Sequence, residues 1–411
     1  MKKKLELLAP AGDLEKLKIA VEYGADAVYF GGEAFSLRSG AGNFTVEEIR
    51  EGVDYAHAHQ VRCYLTLNIY AHNGDLEPLH KFLQQIREIP IDAFLCADPG
   101  VMMVLREEIP SAAIHLSTQA NLTNYAAAEF WKNFGVERLV LARELTLQEI
   151  ATIRGHLPEE MELEAFVHGA MCISYSGRCL LSAFMTGRDS NRGACAHPCR
   201  YQYTLEEEKR PGQLFPIEED ARGTYILNSK DLCMIRHIDK LAESGIQSLK
   251  IEGRNKSIFY LATVLHAYRQ ALDAYEANPA NWEFQDEWYD ELKKASHREF
   301  YTGFYFGYPG AQAQNYETSA YLKPYIFLGK VLSYDEQSGM ALIEERNKMV
   351  TGDEIEVFGP DVSYFSLTVK HMEDAETGET LSEAPHPKQR IRIPMPQAVK
   401  PGYILRKKET L

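Results

Sequence analysis

The chain has 411 residues, 45% of them hydrophobic and 25% charged, with a formal net charge of −15. That length exceeds one ordinary compact core, so more than one domain is expected, and the acidic balance argues against non-specific nucleic-acid binding by the whole surface. No apolar run reaches the ~18 residues of a membrane helix, and Met1-Lys2-Lys3-Lys4-Leu5-Glu6 enters a strand-like stretch without a signal peptide's apolar segment. A cytoplasmic protein with no membrane partner is expected. Its seven cysteines, an odd number, then call for something other than a disulfide framework.

Short apolar runs alternate with helical patterns. A strand-like run at 5–9 precedes a helical pattern over 13–23, and 27–30 precedes 46–59. The pairs continue as 62–67 with 76–89, 93–96 with 100–108, 113–116 with 125–134 and 138–141 with 147–153. Residues 162–167 read as a seventh strand and 248–251 as an eighth, followed by a long helix near 257–275. Eight strand–helix units with tight connections predict an α/β fold, a TIM-like (β/α)8 barrel. An open doubly wound sheet is the alternative, but it needs fewer units and a reversal of strand order.

The segment 169–228 is too long for a plain strand-to-helix loop, and long loops in compact domains are often functional. It ends in Leu227-Asn228-Ser229-Lys230-Asp231, which reads as a helix start capped by Ser229. Residues 277–287 form a polar connection, and the aromatic stretch 296–304 is expected to return to the barrel. From Tyr325 the pattern is of short strands, at 326–331, 340–343, 353–358, 366–371, 390–393 and 403–406, which predicts a small C-terminal β-barrel of roughly eighty residues. The expected domains are therefore 1–280 with the inserted loop 169–228, a connecting segment 281–322, and 323–411.

Four of the seven cysteines crowd into the inserted loop, spaced C-x6-C-x15-C-x3-C as Cys172, Cys179, Cys195 and Cys199. A loop rich in Gly, Ser and Arg that presents four thiols is a metal site by default. Structural zinc sites pair their cysteines closely, twice over, whereas here only Cys195 and Cys199 are close. Wide, uneven spacing with a proline beside a ligand (Pro198-Cys199) suits a [4Fe–4S] cluster better, with zinc as the other reading. Cys233, placed on the expected helix, is a reserve ligand or a buried structural thiol; Cys63 and Cys96 fall in apolar strands. There is no G-x-S-x-G or H-E-x-x-H hydrolase motif. A Cys–His protease stays open because His168 and His197 flank the cysteines, although four clustered thiols suit one activated nucleophile poorly.

In a (β/α)8 barrel, functional groups stand at the C-terminal ends of the strands. The candidates are Arg38 and Asn43 after the second strand, Asn68 after the third, Gln119 and Asn121 after the fifth, and Arg143 after the sixth. His168 ends the seventh, and the eighth leads into Lys250-Ile251-Glu252-Gly253-Arg254. His168 and Glu252 are the catalytic candidates; Arg38, Asn68, Gln119, Arg143, Lys250 and Arg254 are the substrate-binding ones, the cations being suited to a small carboxylate ligand. A salt-bridge layer across the barrel end is the competing reading. Two basic patches stand out on the acidic chain: Arg178, Arg188, Arg192 and Arg200 around the cysteines, and Lys388, Arg390, Arg392, Lys400, Arg406, Lys407 and Lys408 near the C-terminus.

The stretch Glu164-Ala165-Phe166-Val167-His168-Gly169-Ala170-Met171-Cys172, continuing through Ser176-Gly177-Arg178-Cys179, resembles the signature of the peptidase U32 family. Leu7-Leu8-Ala9-Pro10-Ala11-Gly12, Arg192-Gly193-Ala194-Cys195 and Ser248-Leu249-Lys250-Ile251-Glu252-Gly253-Arg254 resemble further family patterns, so the likeness spans the whole chain. The family name implies collagenase-like proteolysis of extended or denatured peptides. Other members imply oxygen-independent hydroxylation with an iron–sulfur cluster, and the chain looks most like those that make 5-hydroxyuridine at the wobble position of tRNA. That resemblance implies Cys172, Cys179, Cys195 and Cys199 as cluster ligands, prephenate as a dicarboxylate co-substrate, the tRNA anticodon region as partner, and a second protein of the same family as a further one. A non-catalytic RNA-binding protein with structural zinc is a third reading.

Overall fold

The structure is a computed structural model that describes residues 4–33, 35–36, 43–172, 175, 178–200, 219–220, 223–224, 229–308 and 321–409. Arg38 lies outside the described residues.

Eight parallel strands form the core: β1 (Glu6–Pro10), β2 (Ala27–Phe30), β3 (Arg62–Leu67), β4 (Ala93–Cys96), β5 (Ile114–Leu116), β6 (Arg138–Val140), β7 (Glu162–Ala170) and β8 (Ser248–Ile251). They pair in order, and β8 pairs with both β7 and β1, which closes the barrel. Most strands are buried along their whole length because helices cover the outside, which is why they read as unbroken apolar runs. The helices start where local chemistry satisfies their free amides. Asp13, Thr45, Asp98, Asn124, Thr146 and Ser257 each cap one by accepting from the amide three residues on, worth about 1 kcal/mol apiece. These caps fix the loops that rim the C-terminal mouth.

Two expectations change here. Residues after Ser229 form a strand, Asp231–Cys233, not a helix start. β7 runs beyond its parallel pairing with β8, and its exposed edge takes this strand in antiparallel register, Cys233 opposite His168; unpaired ladder groups are satisfied that way. The strand Phe300–Tyr301 pairs on its other side, so the aromatic stretch does return to the barrel. The helix Asp286–Lys294 replaces part of the expected polar connection. Its buried apolar face is only Trp288 and Leu292, one turn apart, too narrow a stripe to register as a periodic pattern.

The C-terminal strands form a seven-stranded antiparallel sheet with Tyr325–Asp335 at its centre and a two-stranded ribbon, Met349–Val350 with Glu383–Ala384, beside it. Leu328, Val331, Ile343, Ile355, Val357, Ile391, Ile393 and Leu405 make its core. The sheet docks on the barrel: the Tyr23 hydroxyl donates to the Gly402 carbonyl at 3.2 Å, and Phe358 and Ile404 belong to the barrel's own apolar cluster. Arg406 is fully buried at this junction, bonded to Glu291 (3.0 Å) and Glu356 (2.8 Å). The C-terminal basic run is therefore no continuous cationic surface. Lys407 pairs with Asp353 and Lys400 with Asp361, and Arg392 donates to the Ala375 carbonyl. Among the described residues, no helix is long and apolar enough to cross a membrane.

A thiol-lined cavity at the barrel mouth

The barrel interior carries charge. Arg138 is buried and binds Glu6, Glu162 and Glu164. Arg62 joins Glu6, and the Ser248 hydroxyl donates to Glu6 at 2.7 Å. Lys250, also buried, donates to Glu164 at 2.6 Å and sits over the Tyr29 ring at 4.3 Å. Arg138 and Lys250 thus meet Glu6 and Glu164 inside the barrel, with Arg62 and Glu162 joining from its edge, which is what makes the burial of the inner four tolerable. Burial works against the charge on Glu6, but Arg138, Arg62 and the Ser248 hydroxyl together outweigh it and hold the carboxyl below its usual range. For Lys250 burial wins over Glu164, and its ammonium titrates below the ordinary lysine value.

Above this layer opens a cavity of ≈ 260 Å³. It is lined by Asn68, Gln119, Arg143, Lys250, Glu252 and Arg254, together with Cys172, Cys179, Cys195 and Cys199. Six of the expected binding or catalytic residues and all four loop cysteines thus face one space, each from the C-terminal end of a strand or the loop beyond it. Arg254 is buried and donates to Ser36 at 2.7 Å and to Asn43 at 3.0 Å. Arg143 lies over the Phe166 ring at 4.4 Å and donates to the Ala170 carbonyl at 3.1 Å, while its Nε is buried without a partner. The side-chain oxygen of Gln119 is likewise buried and unpartnered. A buried donor and a buried acceptor left unpaired cost energy, so both mark where a polar ligand would be bound. Sequence reasoning missed Tyr29, Ser117, Lys256 and Tyr321 in the lining. Lys256 continues the Lys250–Arg254 run and stands over the Tyr321 ring at 3.8 Å.

The cysteine segment is tied down over the mouth. Ser190 donates to the Cys179 carbonyl at 2.7 Å, and Ser182 accepts from the Ala196 amide at 2.9 Å. Arg192 grips both oxygens of Asp75 in the first turn of the helix Asn73–Ile86 that follows β3, which anchors the segment to the barrel. His197 takes a left-handed backbone, φ 57°, and its Nδ1 lies 4.0 Å from the Cys195 sulfur.

His168 is not in the cavity. The register between β7 and β8 shifts at Lys250/Ile251, so Phe166 opposes Lys250 but His168 opposes Ile251. Such a bulge inverts the in–out alternation, and His168 turns outward among Tyr260, Tyr268 and Phe300. Burial there holds it neutral, with its pKa lowered to about 3. The geometry gives it no access to a substrate. Glu252 does line the cavity, and its amide donates to the His168 carbonyl at 2.9 Å. Cys233 is buried on its strand, and burial pushes its thiol up to about 12.

The loop cysteines are thiols rather than disulfides, and Cys172 is solvent-exposed while the other three are half-buried. Among the described residues, no three His, Cys, Asp or Glu side chains converge closely enough to hold a single ion. Four soft donors spread around a cavity wall fit a thiolate-bound group broader than one ion.

A closed (β/α)8 barrel with a cationic, thiol-lined cavity at its C-terminal mouth has the build of a barrel enzyme. Residues 12–315 match the model of peptidase family U32, and residues 323–406 match that of the peptidase family U32 C-terminal domain. The chain belongs to the U32 family. It is 45% identical over 406 residues to tRNA hydroxylation protein P1 of Bacillus subtilis, covering 98% of this chain and 95% of the relative. It is 36% identical to tRNA hydroxylation protein P of Escherichia coli, covering 98% and 96%, and 32% identical to a collagenase of Porphyromonas gingivalis, covering 97% and 96%.

Proposed function

We propose that the chain is an oxygen-independent tRNA hydroxylase that makes 5-hydroxyuridine at the wobble uridine, with prephenate as co-substrate and a [4Fe–4S] cluster on Cys172, Cys179, Cys195 and Cys199. The observation that carries this reading is the gathering of four thiols, four cations and Glu252 around one cavity at the barrel mouth. The full-length likeness to two tRNA hydroxylation proteins supports the substrate. A base must leave its stack to reach such a cavity, which suits a single-stranded anticodon loop better than a duplex. Arg143, Arg254 and Lys256 bind and orient the carboxylates of the co-substrate, with Lys250 as an electrostatic floor since its ammonium is engaged by Glu164. Asn68 and Gln119 supply neutral hydrogen-bonding groups for a base edge, and Glu252 is the carboxylate positioned to hold or move a proton. When bound, the cluster supplies redox chemistry.

The test is anaerobic purification with iron and sulfide counts, followed by nucleoside analysis of tRNA from a deletion strain complemented by wild-type or Cys199→Ala protein. About four irons and four sulfides per chain and 5-hydroxyuridine restored by wild type alone are expected. Modification that persists with Cys199→Ala, or without the chain, would end the proposal.

The collagenase relative favours a peptidase as the second reading. It predicts cleavage of denatured collagen that survives iron removal. The outward turn of His168 removes one of its two candidate bases and leaves only His197, beside Cys195.

A further inference from the structure

The geometry points to the short helix Leu181–Thr186 as a base-stacking platform for single-stranded RNA beside the cavity, with Phe184 as its stacking face and Arg178 and Arg188 as backbone phosphate contacts. This inference rests on the RNA-hydroxylase reading and says where on the protein the RNA strand runs.

Phe184 is 89% exposed and Leu180 70% exposed. The Phe184 amide donates to the Leu180 carbonyl at 2.9 Å, so the two lie one helical turn apart on the same face. Met185 beside them is 45% exposed. Large apolar side chains held in water on a segment otherwise pinned in place call for an occupant. The segment is pinned because Ser182 is buried, accepts from the Ala196 amide and is bridged to Thr186. The helix follows Cys179 directly and packs against the turn Pro198–Arg200, so its neighbours on both sides are cavity-lining cysteines. Tyr175, 49% exposed, lines the cavity itself and continues the aromatic surface inward.

Charge selects the occupant. Arg178 and Arg188 flank the helix, are exposed, and make no ion pair among the described residues. Their neighbour Arg192 is engaged by Asp75. Two unpaired guanidinium groups on a chain of net charge −15 attract an anion locally. A symmetric dimer in which this face meets itself would bring like charges together. Bases have flat π faces that stack on aromatic side chains with little regard to sequence, and arginines follow the phosphates between them. A nucleotide in the cavity would then have its neighbours on Phe184.

The experiment measures binding of a labelled anticodon stem–loop RNA to anaerobically purified holoprotein by fluorescence anisotropy across a salt series. Phe184→Ala is expected to weaken binding about tenfold with an unchanged salt slope, and Phe184→Trp to restore it. Arg178→Ala combined with Arg188→Ala is expected to lower the slope of log K against log salt by about 1.5. Because all three side chains are exposed, folding is not at stake. Wild-type binding of the stem–loop with Phe184→Ala indistinguishable from it overturns this inference alone. So does a Phe184→Ala variant whose only change is loss of self-association in sedimentation. Wild-type holoprotein that binds no stem–loop overturns the RNA reading as well.

Discussion

Arg192 holds Asp75 through two parallel hydrogen bonds of 2.8 and 2.9 Å, and this pair ties the cysteine segment to the first turn of the helix Asn73–Ile86 that follows β3. A second strap runs alongside, since Arg192 also donates to the Tyr70 carbonyl at 2.9 Å and the Tyr70 amide to that of Asn191. Arg192 holds the Asp75 carboxyl down to about 2. The pair is partly exposed, so its direct contribution is about 1 kcal/mol or less. Its effect is expected in position rather than in global stability. Arg192→Ala should leave the melting temperature nearly unchanged but raise hydrogen exchange across 189–199. Arg192→Lys should restore it only in part, because an ammonium cannot grip both oxygens in the same plane. Asp75 titrates below its unfolded value, so the contribution is fully present above about pH 4 and lost as the pH falls through about 2. Equal exchange in Arg192→Ala and wild type at neutral pH would show that the pair anchors nothing.

The cysteines divide into two groups by environment. Cys172, Cys179, Cys195 and Cys199 line the cavity, while Cys63, Cys96 and Cys233 are buried with their thiols pushed up by burial. If the cavity thiols are the cluster ligands, Cys233→Ala should keep the iron content of wild type and cost about 1–2 kcal/mol of stability for its lost packing. Cys199→Ala should lose iron with little change in the apo-protein's unfolding curve. Iron counts on the two variants decide it, and a drop in Cys233→Ala would move a ligand onto the strand Asp231–Cys233.

Periodicity carried the barrel because most strands are short, covered and followed by a capped helix; the Thr45–Glu48 and Thr146–Glu149 capping boxes are visible as residues alone. It carried the cavity too, since Asn68, Gln119, Arg143 and Arg254 were placed by their position just beyond strand ends. It did not carry His168. An alternating strand puts residues 166, 168 and 170 on one face, and only the pairing with β8 reveals the bulge that turns His168 outward. Nor could it show that Arg406 and Lys407 are neutralised, because Glu291, Glu356 and Asp353 lie some fifty to a hundred and fifteen positions away in the chain.

Buried histidines set the acid limit of the barrel. His168 has its pKa lowered to about 3 by burial, with His297 and Lys256 adding to it, and His115 is lowered by burial beside Arg138. Below about pH 6.5 the unfolded chain binds protons that these rings in the fold do not, so stability falls as the pH drops from about 6.5 toward 3, by up to about 1.4 kcal/mol per unit for His168, with His115 acting in the same direction. His168→Phe, which keeps an aromatic ring among Tyr260, Tyr268 and Phe300, should flatten that limb while leaving stability near pH 8 within about 1 kcal/mol. Urea unfolding at a series of pH values measures both. An unchanged slope between about pH 6 and 4 would mean that His168 is not held neutral.

Arg406 joins the two parts of the molecule rather than any anionic partner. It is fully buried, with Glu291 from the helix Asp286–Lys294 on one side and Glu356 from the C-terminal sheet on the other. Removing it would leave Lys294, at 3.2 Å from Glu291 and 3.1 Å from Glu356, as the one cation between the two carboxylates, and a cavity where the guanidinium was buried. Arg406→Ala should therefore cost about 3–5 kcal/mol, seen as an early, separate unfolding step of the C-terminal sheet. Arg390→Ala, on an exposed position of the same basic run, should change stability by less than about 0.5 kcal/mol. Similar melting curves for the two variants would return Arg406 to the surface patch.

One carboxyl of the C-terminal sheet is fully buried with no cation beside it among the described residues. Glu345 ends the strand Met340–Glu345 on the inward face, in line with Ala341 and Ile343, and is fully buried. One oxygen accepts from the Met349 amide at 3.1 Å, and the other has no partner. Burial raises its pKa to about 7. Between about pH 4.5 and 7 the fold keeps a proton that the unfolded chain has lost, so stability falls as the pH rises through that window and stays low above it. Glu345→Gln keeps the acceptor for Met349 and removes the charge. It should raise the local stability of the sheet by about 1–2 kcal/mol near pH 8 and leave it unchanged near pH 4.5. Hydrogen exchange at the Ile343 and Ile391 amides in the full chain reads this directly. Equal protection of variant and wild type at both pH values would show that Glu345 finds a partner for its charge.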